Sequence, residues 1–287
     1  MNPGLPYALA AFTIWGLFPL YFRQLSTVAP FEVVLHRSAG SLLTVLLLMV
    51  WLRPRGALRQ LFSDRRRMAW FVVSGWLLAG NWLLYVLAVQ WNRLVEASLG
   101  FFINPLINVL LGVLVLRERL RPLQWLAVAL AAGGVAWLAW HGGRLPWIAL
   151  GLSLTFAAYG LIRKTATLGA MEGLALESLL LAPLVLPLLA WLSLSPGDAF
   201  VQGSPALVCW VLLGGPLTAV PLLLFAAAAR RLPLTTLGLV QYLSPTLTLL
   251  LGVWAYGEGF DRTRQVGFVL IWAALAIYSV EALRGRR

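Results

Sequence analysis

Residues 105–118 of the chain, PLINVLLGVLVLRE, are followed 140 positions later by a related stretch, PTLTLLLGVWAYGE, at residues 245–258. The two stretches align without a gap, and the shared positions include Pro105 with Pro245, Gly112 with Gly252, Val113 with Val253 and Glu118 with Glu258. Leucine-rich helices resemble one another by chance, but shared proline, glycine and glutamate positions indicate an internal repeat. The sequence therefore predicts two copies of one unit, residues 1–142 and residues 143–287.

The composition places both copies in a lipid bilayer. The chain has 287 residues, of which 61% are hydrophobic and 11% are charged, and its mean hydropathy is +0.85. Soluble chains carry about 25% charged residues, so a soluble fold could not hide this much apolar surface from water. The net charge of +12 comes mostly from residues between apolar runs. It therefore indicates membrane topology rather than binding to nucleic acid.

Ten apolar segments are predicted to cross the membrane as α-helices, because about 20 residues span roughly 30 Å of hydrocarbon. They are residues 5–22, 33–52, 69–90, 95–116, 123–140, 147–162, 174–192, 206–229, 235–256 and 265–283. Each copy holds an odd number of segments, so the second copy enters the membrane from the opposite side. We therefore expect an all-α integral membrane protein with ten transmembrane helices in two inverted five-helix repeats. Such repeats are common in secondary transporters.

The distribution of Arg and Lys predicts the orientation. Most of these residues lie in loops and a tail that share one side of the membrane if all ten segments cross it: residues 53–68, 117–122, 163–173, 230–234 and 284–287. Short cytoplasmic loops are enriched in Arg and Lys, so we expect both termini in the cytoplasm.

Polar residues in the fourth and ninth segments form one candidate cavity. In the fourth segment they recur every four residues and share one helix face: Glu96, Gly100, Asn104, Asn108 and Gly112. Pro105 and Pro245 lack a backbone N–H and free the carbonyls of Phe101 and Gln241 in the two equivalent helices. A solute cavity with a gate explains these residues. Ordinary packing through small and amide residues is the alternative.

Two ionisable residues lie inside segments at equivalent repeat positions, Arg37 in the second segment and Glu177 in the seventh. Arg37 is a candidate contact for an anionic solute or a gate, unless its long side chain reaches outward to the interface. Glu177 is a candidate gate or proton site, or a cap for nearby backbone, and Glu96 is a second candidate proton site. The inverted repeat would place Arg37 and Glu177 in opposite halves of the membrane, too far apart for a direct ion pair.

Further residues near segment centres are candidates for the cavity wall. They are Trp15 in the first segment, Asn81, Trp82 and Tyr85 in the third, Tyr159 in the sixth, and Thr218 with Pro221, a further gating position, in the eighth. Aromatic walls with few charges favour an amphiphilic or aromatic solute. We expect the cavity between segments 1, 3, 4, 6, 8 and 9, with segments 2 and 7 as moving walls.

The chain lacks the motifs of several catalytic classes. It contains no G-x-x-x-x-G-K-[ST], no H-E-x-x-H and no G-x-S-x-G, and its two histidines, His36 and His141, are distant in sequence. We therefore expect no enzyme activity, no cofactor and no metal. The energy for function would come from a gradient or from the solute itself.

Several stretches resemble the RarD family. They are GNWLLYVLAVQW (80–91) with VEASLGFFINPLINVLLGVLVLRERL (95–120), FAAYGLIRK (156–164) and LGLVQYLSPTLTLLLGVWAYGE (237–258). The resemblance extends over the whole chain and implies an EamA-type permease of the drug/metabolite transporter superfamily, with two inverted EamA repeats in the bacterial inner membrane. The patterned positions that it carries over are Asn81, Trp82, Glu96, Ser98, Asn104, Tyr159, Glu177, Gln241 and Tyr242. The turn at residues 90–93 departs from the more Asn-rich turn expected there.

The combined expectation is a secondary transporter, a permease or exporter that moves a small organic solute by alternating access. An amphiphilic metabolite, an amino acid or a drug would fit. An uncoupled facilitator or uniporter with the same architecture is the alternative, and a membrane-embedded enzyme or sensor is a more distant one. The expected partners are the solute and the lipid bilayer, not nucleic acid, and the chain would act as a monomer or homodimer.

Overall fold

The computed structural model describes residues 3–52, 65–91, 94–141, 147–194, 203–255 and 261–284. Within these ranges the regular elements are all α-helices, and none of the residues forms a strand. The helices in chain order are α1 (Leu5–Gly16), α2 (Phe18–Gln24), α3 (Pro30–Leu52), α4 (Arg65–Gln90), α5 (Leu94–Leu114), α6 (Pro122–His141), α7 (Trp147–Thr165), α8 (Ala170–Ser193), α9 (Pro205–Ala229), α10 (Leu234–Gln241), α11 (Leu243–Ala255) and α12 (Arg262–Arg284).

Among the described residues, seven helical stretches are long and apolar enough to cross a membrane. They are Leu5–Gln24, Pro30–Leu52, Met68–Ala88, Pro122–His141, Ala170–Ser193, Pro205–Ala229 and Leu234–Ala255. Large apolar side chains such as Trp51, Trp140 and Trp254 point outward and are at least 79% exposed, which suits contact with lipid. The prediction of an all-helical membrane protein is confirmed for the described residues. Each of the ten predicted segments lies on one helix or on a consecutive pair, and the crossing of the membrane by all ten stays a prediction.

Two of the apolar stretches are interrupted. One residue separates α1 from α2, and Tyr242 separates α10 from α11. Pro19 and Pro245 follow these breaks, and each proline lacks the N–H that would bond the carbonyl four residues earlier. In contrast, α5 continues through Pro105 and α9 continues through Pro221. Packing against neighbouring helices keeps such helices intact, so Pro245 is the one predicted gating proline that accompanies a break in this conformation.

Helices of the first half pack mainly against helices of the second half. α3 contacts α8 and α9, α4 contacts α7 and α8, α5 contacts α7 and α10, α1 contacts α9 and α11, and α6 contacts α12. The approach of α3 to α9 is close at Gly40 and Gly215. A Cβ built on Gly215 would lie 2.5–2.7 Å from backbone atoms of Gly40, so a larger residue has no room there. Arg37 and Glu177 lie in this interface between the halves.

Candidate functional site

Two adjoining clefts lie between α3, α4, α8 and α9. Ser38, Trp82 and Glu177 help to line the first cleft. Arg37 and Thr218 line the second cleft together with the same Ser38 and Trp82, so the two clefts adjoin. We refer to Arg37, Glu177 and Thr218, with the two clefts that they line, as the polar region. Each has room for about one water molecule, which is too little for an organic solute. This conformation is therefore closed at both clefts.

Glu177 is buried at the first cleft and accepts hydrogen bonds from two other helices. Ser74 of α4 donates its hydroxyl to Oε1 at 2.5 Å, and Tyr159 of α7 donates to Oε2 at 3.4 Å. The Nη1 atom of Arg163 lies 3.6 Å from Oε1, and both side chains of this ion pair are 1% exposed. The Glu177 carboxylate therefore has a buried counter-charge of its own.

The structure places Arg163 in a buried position and not in a cytoplasmic loop, where the sequence predicted it. α7 continues beyond residue 162, the predicted end of the segment, and buries Arg163 inside the protein. Its Nη2 donates to a carbonyl at the start of α8 at 2.8 Å, and its guanidinium carbon lies 5.6 Å from the ring centroid of Phe71. The signal in the sequence is the spacing from Tyr159, since residues four apart share a helix face. A buried guanidinium needs an anion nearby, and Glu177 supplies it.

Arg37 lies at the second cleft and reaches across to α9. Its Nε donates to the hydroxyl of Thr218 at 2.9 Å, and Thr218 donates to the carbonyl of Gly214 at 2.7 Å. The guanidinium carbon lies 5.2 Å from the ring centroids of Phe18 and Phe22, which is within range of cation–π attraction. Thr218 is close to the midpoint of α9, so Arg37 is directed into the protein and not outward to the membrane interface.

Arg37 and Glu177 face neighbouring clefts without pairing with each other. Among the described residues, the ion pairs are those of Glu32 with His36, Arg121 with Glu281 and Arg163 with Glu177. Arg37 thus has no carboxylate partner in the part of the chain that the structure describes. As expected from the sequence, Arg37 and Glu177 form no direct ion pair, although they line adjoining clefts. Their predicted placement in opposite halves of the membrane stays a prediction.

The predicted residues of the third segment lie on α4, and each makes a different kind of contact. Asn81 donates both to a carbonyl of α7 and to the hydroxyl of Thr155, each at 2.8 Å, and so ties α4 to α7. Trp82 lines both clefts. Tyr85 lies close enough to Arg37 for an electrostatic interaction. Trp82 and Tyr85 are thus the two that lie near the polar region.

Trp15 and Tyr159 belong to an aromatic cluster that joins α1, α7 and α9. The ring centroid of Trp15 lies 5.6 Å from that of Phe156 and 5.7 Å from that of Phe225, and Tyr159 stacks on Phe225 at 6.1 Å. Neither predicted wall residue lines the two clefts in this conformation. Tyr159 acts on the site through its hydroxyl, which bonds Glu177.

Asn104, Asn108 and Gln241 form a buried hydrogen-bond network. Asn108 donates to Oδ1 of Asn104 at 3.1 Å and to Oε1 of Gln241 at 2.9 Å, while Asn104 donates to the carbonyl of Ser153 at 2.8 Å. The neighbouring Tyr242 donates to a carbonyl of α5 at 3.1 Å. These groups join α5, α7 and α10 in the closed conformation. Their contact with a solute stays a prediction.

The remaining candidates lie away from the clefts or outside the described residues. Phe101 is 52% exposed on α5, where lipid can cover its ring, and it does not line either cleft. The side chain of Glu96, a predicted proton site, is outside the described residues. Ser74 and Tyr21 belong to the site and were missed, because single polar residues in apolar helices give no periodic signal. Among the described residues, no three His, Cys, Asp or Glu side chains cluster to hold a metal.

The chain is similar over nearly its whole length to known proteins. A model of the EamA-like transporter family matches residues 2–140 and 145–280. The chain is 48% identical over 288 residues to a protein of Pseudomonas aeruginosa named as an uncharacterized transporter, covering 100% of this chain and 96% of that protein. It is 42% identical over 284 residues to the protein RarD of Escherichia coli, covering 99% of this chain and 96% of that protein. One solved crystal structure covers 100% of this chain and 99% of its own, with a TM-score of 0.77 at 19% identity, which is a likeness of fold alone.

Proposed function

Because the chain belongs to the EamA-like transporter family, we propose that it is a secondary transporter of the bacterial inner membrane that moves a small organic solute by alternating access. The resemblance to the RarD family is confirmed by the match with RarD of Escherichia coli. The observation that carries the proposal is the pair of clefts between the halves, faced by Arg37 and Glu177. Ionisable groups at membrane depth are costly and usually mark the path of a solute or ion.

Two inverted five-helix repeats are the framework of this proposal. The family model matches one stretch in each of the predicted copies, residues 2–140 and residues 145–280. The packing also supports two repeats, because contacts between helices recur when equivalent elements are exchanged. The equivalent elements are α1 and α2 with α7, α3 with α8, α4 with α9, α5 with α10 and α11, and α6 with α12. Under this exchange, contact α3–α9 becomes α8–α4, contact α5–α7 becomes α11–α1, and contact α4–α7 becomes α9–α1.

Equivalent elements also contact one another directly, as expected around a two-fold axis in the membrane plane. α3 packs on α8, α5 on α10 and α6 on α12. Tyr242 of the second copy donates its hydroxyl to the carbonyl of Phe102, which lies 140 positions earlier in the chain. Exchange of the conformations of the two copies around such an axis would close one side of the site and open the other.

The clefts would open through separation of α3 and α8 from their neighbours. α3 packs on α8 and α9, and α8 packs on α3 and α4, so these two helices enclose the polar region from both copies. They correspond to the second and seventh segments, which the sequence predicts as moving walls. Both termini are proposed to be cytoplasmic. With Arg163 removed from the loops, Arg117, Arg230 and Arg231 remain exposed on the proposed cytoplasmic side.

Proton coupling through Glu177 is the first mechanism that we propose. A buried carboxylate that faces a cleft can take up a proton from one side and release it to the other as the clefts open in turn. Ser74 and Tyr159 hold its two oxygens in place. Uptake of a proton would also release Arg163 from its ion pair, which is a side-chain contact between α7 and α8.

An uncoupled facilitator is the second candidate, and the Arg163 ion pair favours it. Because Arg163 balances the charge of Glu177, the carboxylate can stay ionised through the whole cycle. Transport would then follow the solute gradient alone.

Flux in proteoliposomes separates the two mechanisms. Labelled organic solutes would be offered with and without an imposed pH gradient. Accumulation that follows the gradient and disappears in Glu177→Gln supports coupling, while equilibration that Glu177→Gln leaves unchanged supports a facilitator. Glu281→Gln is the matched control, since Glu281 pairs with the exposed Arg121 away from the clefts. A properly inserted protein that moves no solute of any charge class contradicts the transporter proposal.

A further inference from the structure

The geometry points to a binding position for a carboxylate group at Arg37, so that the transported solute is an organic anion with an apolar body. This inference rests on the proposed function and names its substrate class.

Arg37 offers hydrogen-bond donors that the described protein does not use. Its Nε is bound to Thr218 at 2.9 Å. Its two terminal amino groups donate to no atom of the described residues, and they are not among the fully enclosed unsatisfied atoms. They therefore keep some exposed surface, and the Arg37 side chain lines the second cleft. Two parallel N–H groups of a guanidinium match the two oxygens of a carboxylate.

The rings of Phe18 and Phe22 fix the guanidinium in this position. Both ring centroids lie 5.2 Å from its central carbon, and Thr218 accepts a hydrogen bond from its Nε. A ring face attracts the cation but supplies no hydrogen-bond acceptor. The guanidinium is thus oriented in advance and keeps its terminal donors for a ligand, which lowers the entropic cost of binding.

Tyr21 supplies a second unused donor beside Arg37. Its hydroxyl is buried and has no hydrogen-bond partner among the described residues. A Cβ built on Gly214 would collide with both the Tyr21 hydroxyl and the Arg37 side chain, so the two side chains flank the same point of α9. A buried hydroxyl without a partner is costly. An anionic oxygen held by Arg37 would be a suitable acceptor for it.

The balance of charge selects an anion rather than a cation or a zwitterion. Glu177 and Arg37 are the ionisable residues that line the clefts. Glu177 is neutralised by Arg163 at 3.6 Å, whereas Arg37 has no carboxylate partner in the described chain. The polar region therefore carries one uncompensated positive charge. A bound carboxylate would neutralise it, and the cost of a buried unpaired charge would be removed.

Apolar side chains beside Arg37 indicate the chemistry of the part of the ligand that follows its carboxylate. Val34 and Trp82 line the same cleft as the guanidinium, and Leu78, Leu174 and Leu181 line the adjoining one. These surfaces bind an aliphatic or aromatic body through apolar contact. The expected class is a monocarboxylate with an apolar group.

Ligand binding to the purified full chain in detergent tests the inference without any flux measurement. The probes share one skeleton and differ in charge: 3-phenylpropanoate, 3-phenyl-1-propanol and 3-phenylpropylamine. Binding to the native state raises the midpoint of thermal unfolding. We expect the carboxylate to raise the midpoint at millimolar concentration and the alcohol and amine to leave it unchanged.

Variants assign the effect to the proposed groups. Arg37→Gln should weaken carboxylate binding by about ten- to a hundredfold, because a charged hydrogen bond is worth about 1.5–3 kcal/mol. Arg37→Lys should retain part of the shift, and Tyr21→Phe should weaken it by a smaller factor. Arg121→Gln removes an exposed arginine and should bind like the wild type. The midpoint without ligand shows that each variant is folded.

The inference is overturned if the carboxylate gives no shift, if the amine or alcohol shifts the midpoint equally, or if Arg37→Gln binds as well as the wild type. A protein that moves solutes in vesicles but shows any of these results remains a transporter and loses only the assigned substrate class. Carboxylate binding without flux of the same compound would support the site and count against the proposed function.

Discussion

The buried pair of Arg163 and Glu177 predicts a large coupling between two substitutions. In Glu177→Gln, the side chain keeps its shape and an acceptor for Ser74, but the charge that faces Arg163 is lost. Arg163 would then remain charged at 1% exposure, with its Nε and Nη1 already lacking acceptors among the described residues. Breaking such a pair costs about 3–5 kcal/mol. The backbone contact of Nη2 and the Phe71 ring persist, so we expect a value near the lower end, about 3 kcal/mol.

A double-mutant cycle measures this coupling. Glu177→Gln, Arg163→Met and the double variant would be unfolded reversibly in detergent, and their free energies of unfolding compared with the wild type. The double variant removes both charges, so it should lose at least about 2 kcal/mol less than the sum of the single losses. Neutral hydrogen bonds in membrane proteins give a coupling of about 0.6 kcal/mol. A coupling at or below that value would refute the interpretation of Arg163 as the counter-charge of Glu177.

Three further predictions concern stability, each measured as the free energy of unfolding in detergent. Gly215→Ala should lower the free energy of unfolding by about 1–3 kcal/mol, because its Cβ would lie 2.5–2.7 Å from the α3 backbone. The control Gly133→Ala, whose Cβ would meet no atom within 4 Å, should be neutral or stabilising. Equal effects of the two substitutions would contradict the close helix crossing. Glu118→Ala should lose about 1–2 kcal/mol, since its carboxylate accepts the first two N–H groups of α10, and Arg121→Ala at the surface should lose less than about 1 kcal/mol. Asn108→Leu should lose about 1–2 kcal/mol by leaving two buried acceptors unpaired, and a neutral result would show that water replaces the amide.

The repeated stretch and the apolar segments predicted most of the helix positions. The reason is physical, since the length of hydrocarbon to be crossed and the absence of water fix where helices form. Pro245 also indicated where a helix could be interrupted, and α10 ends four residues before it. Proline alone did not determine a break, because α5 and α9 pass through Pro105 and Pro221 where neighbouring helices support them.

The site was predicted less completely, because its contacts join residues far apart in sequence. Thr218 lies 181 positions from Arg37, and Ser74 lies 103 positions from Glu177. Arg163 was missed for a different reason. An arginine at the end of an apolar run is ordinarily a topology signal, and only the position of Glu177 on the next helix shows that this one is buried.

The two copies carry opposite charges at equivalent positions, and this difference gives the clefts their chemistry. Arg37 and Glu177 are 140 positions apart, as are Ser74, which donates to Glu177, and Gly214, which lies against Arg37. One copy therefore supplies its charge with a hydroxyl donor and a buried counter-ion. The other has a glycine at the equivalent position, where the Tyr21 hydroxyl and the Arg37 side chain fill the room that a Cβ would take. The charge of Glu177 is thus compensated within the protein, whereas Arg37 has no carboxylate partner and the Tyr21 hydroxyl has no acceptor among the described residues. A solute anion that reaches Arg37 and Tyr21 once the clefts open would complete the interactions that the protein leaves unmade there.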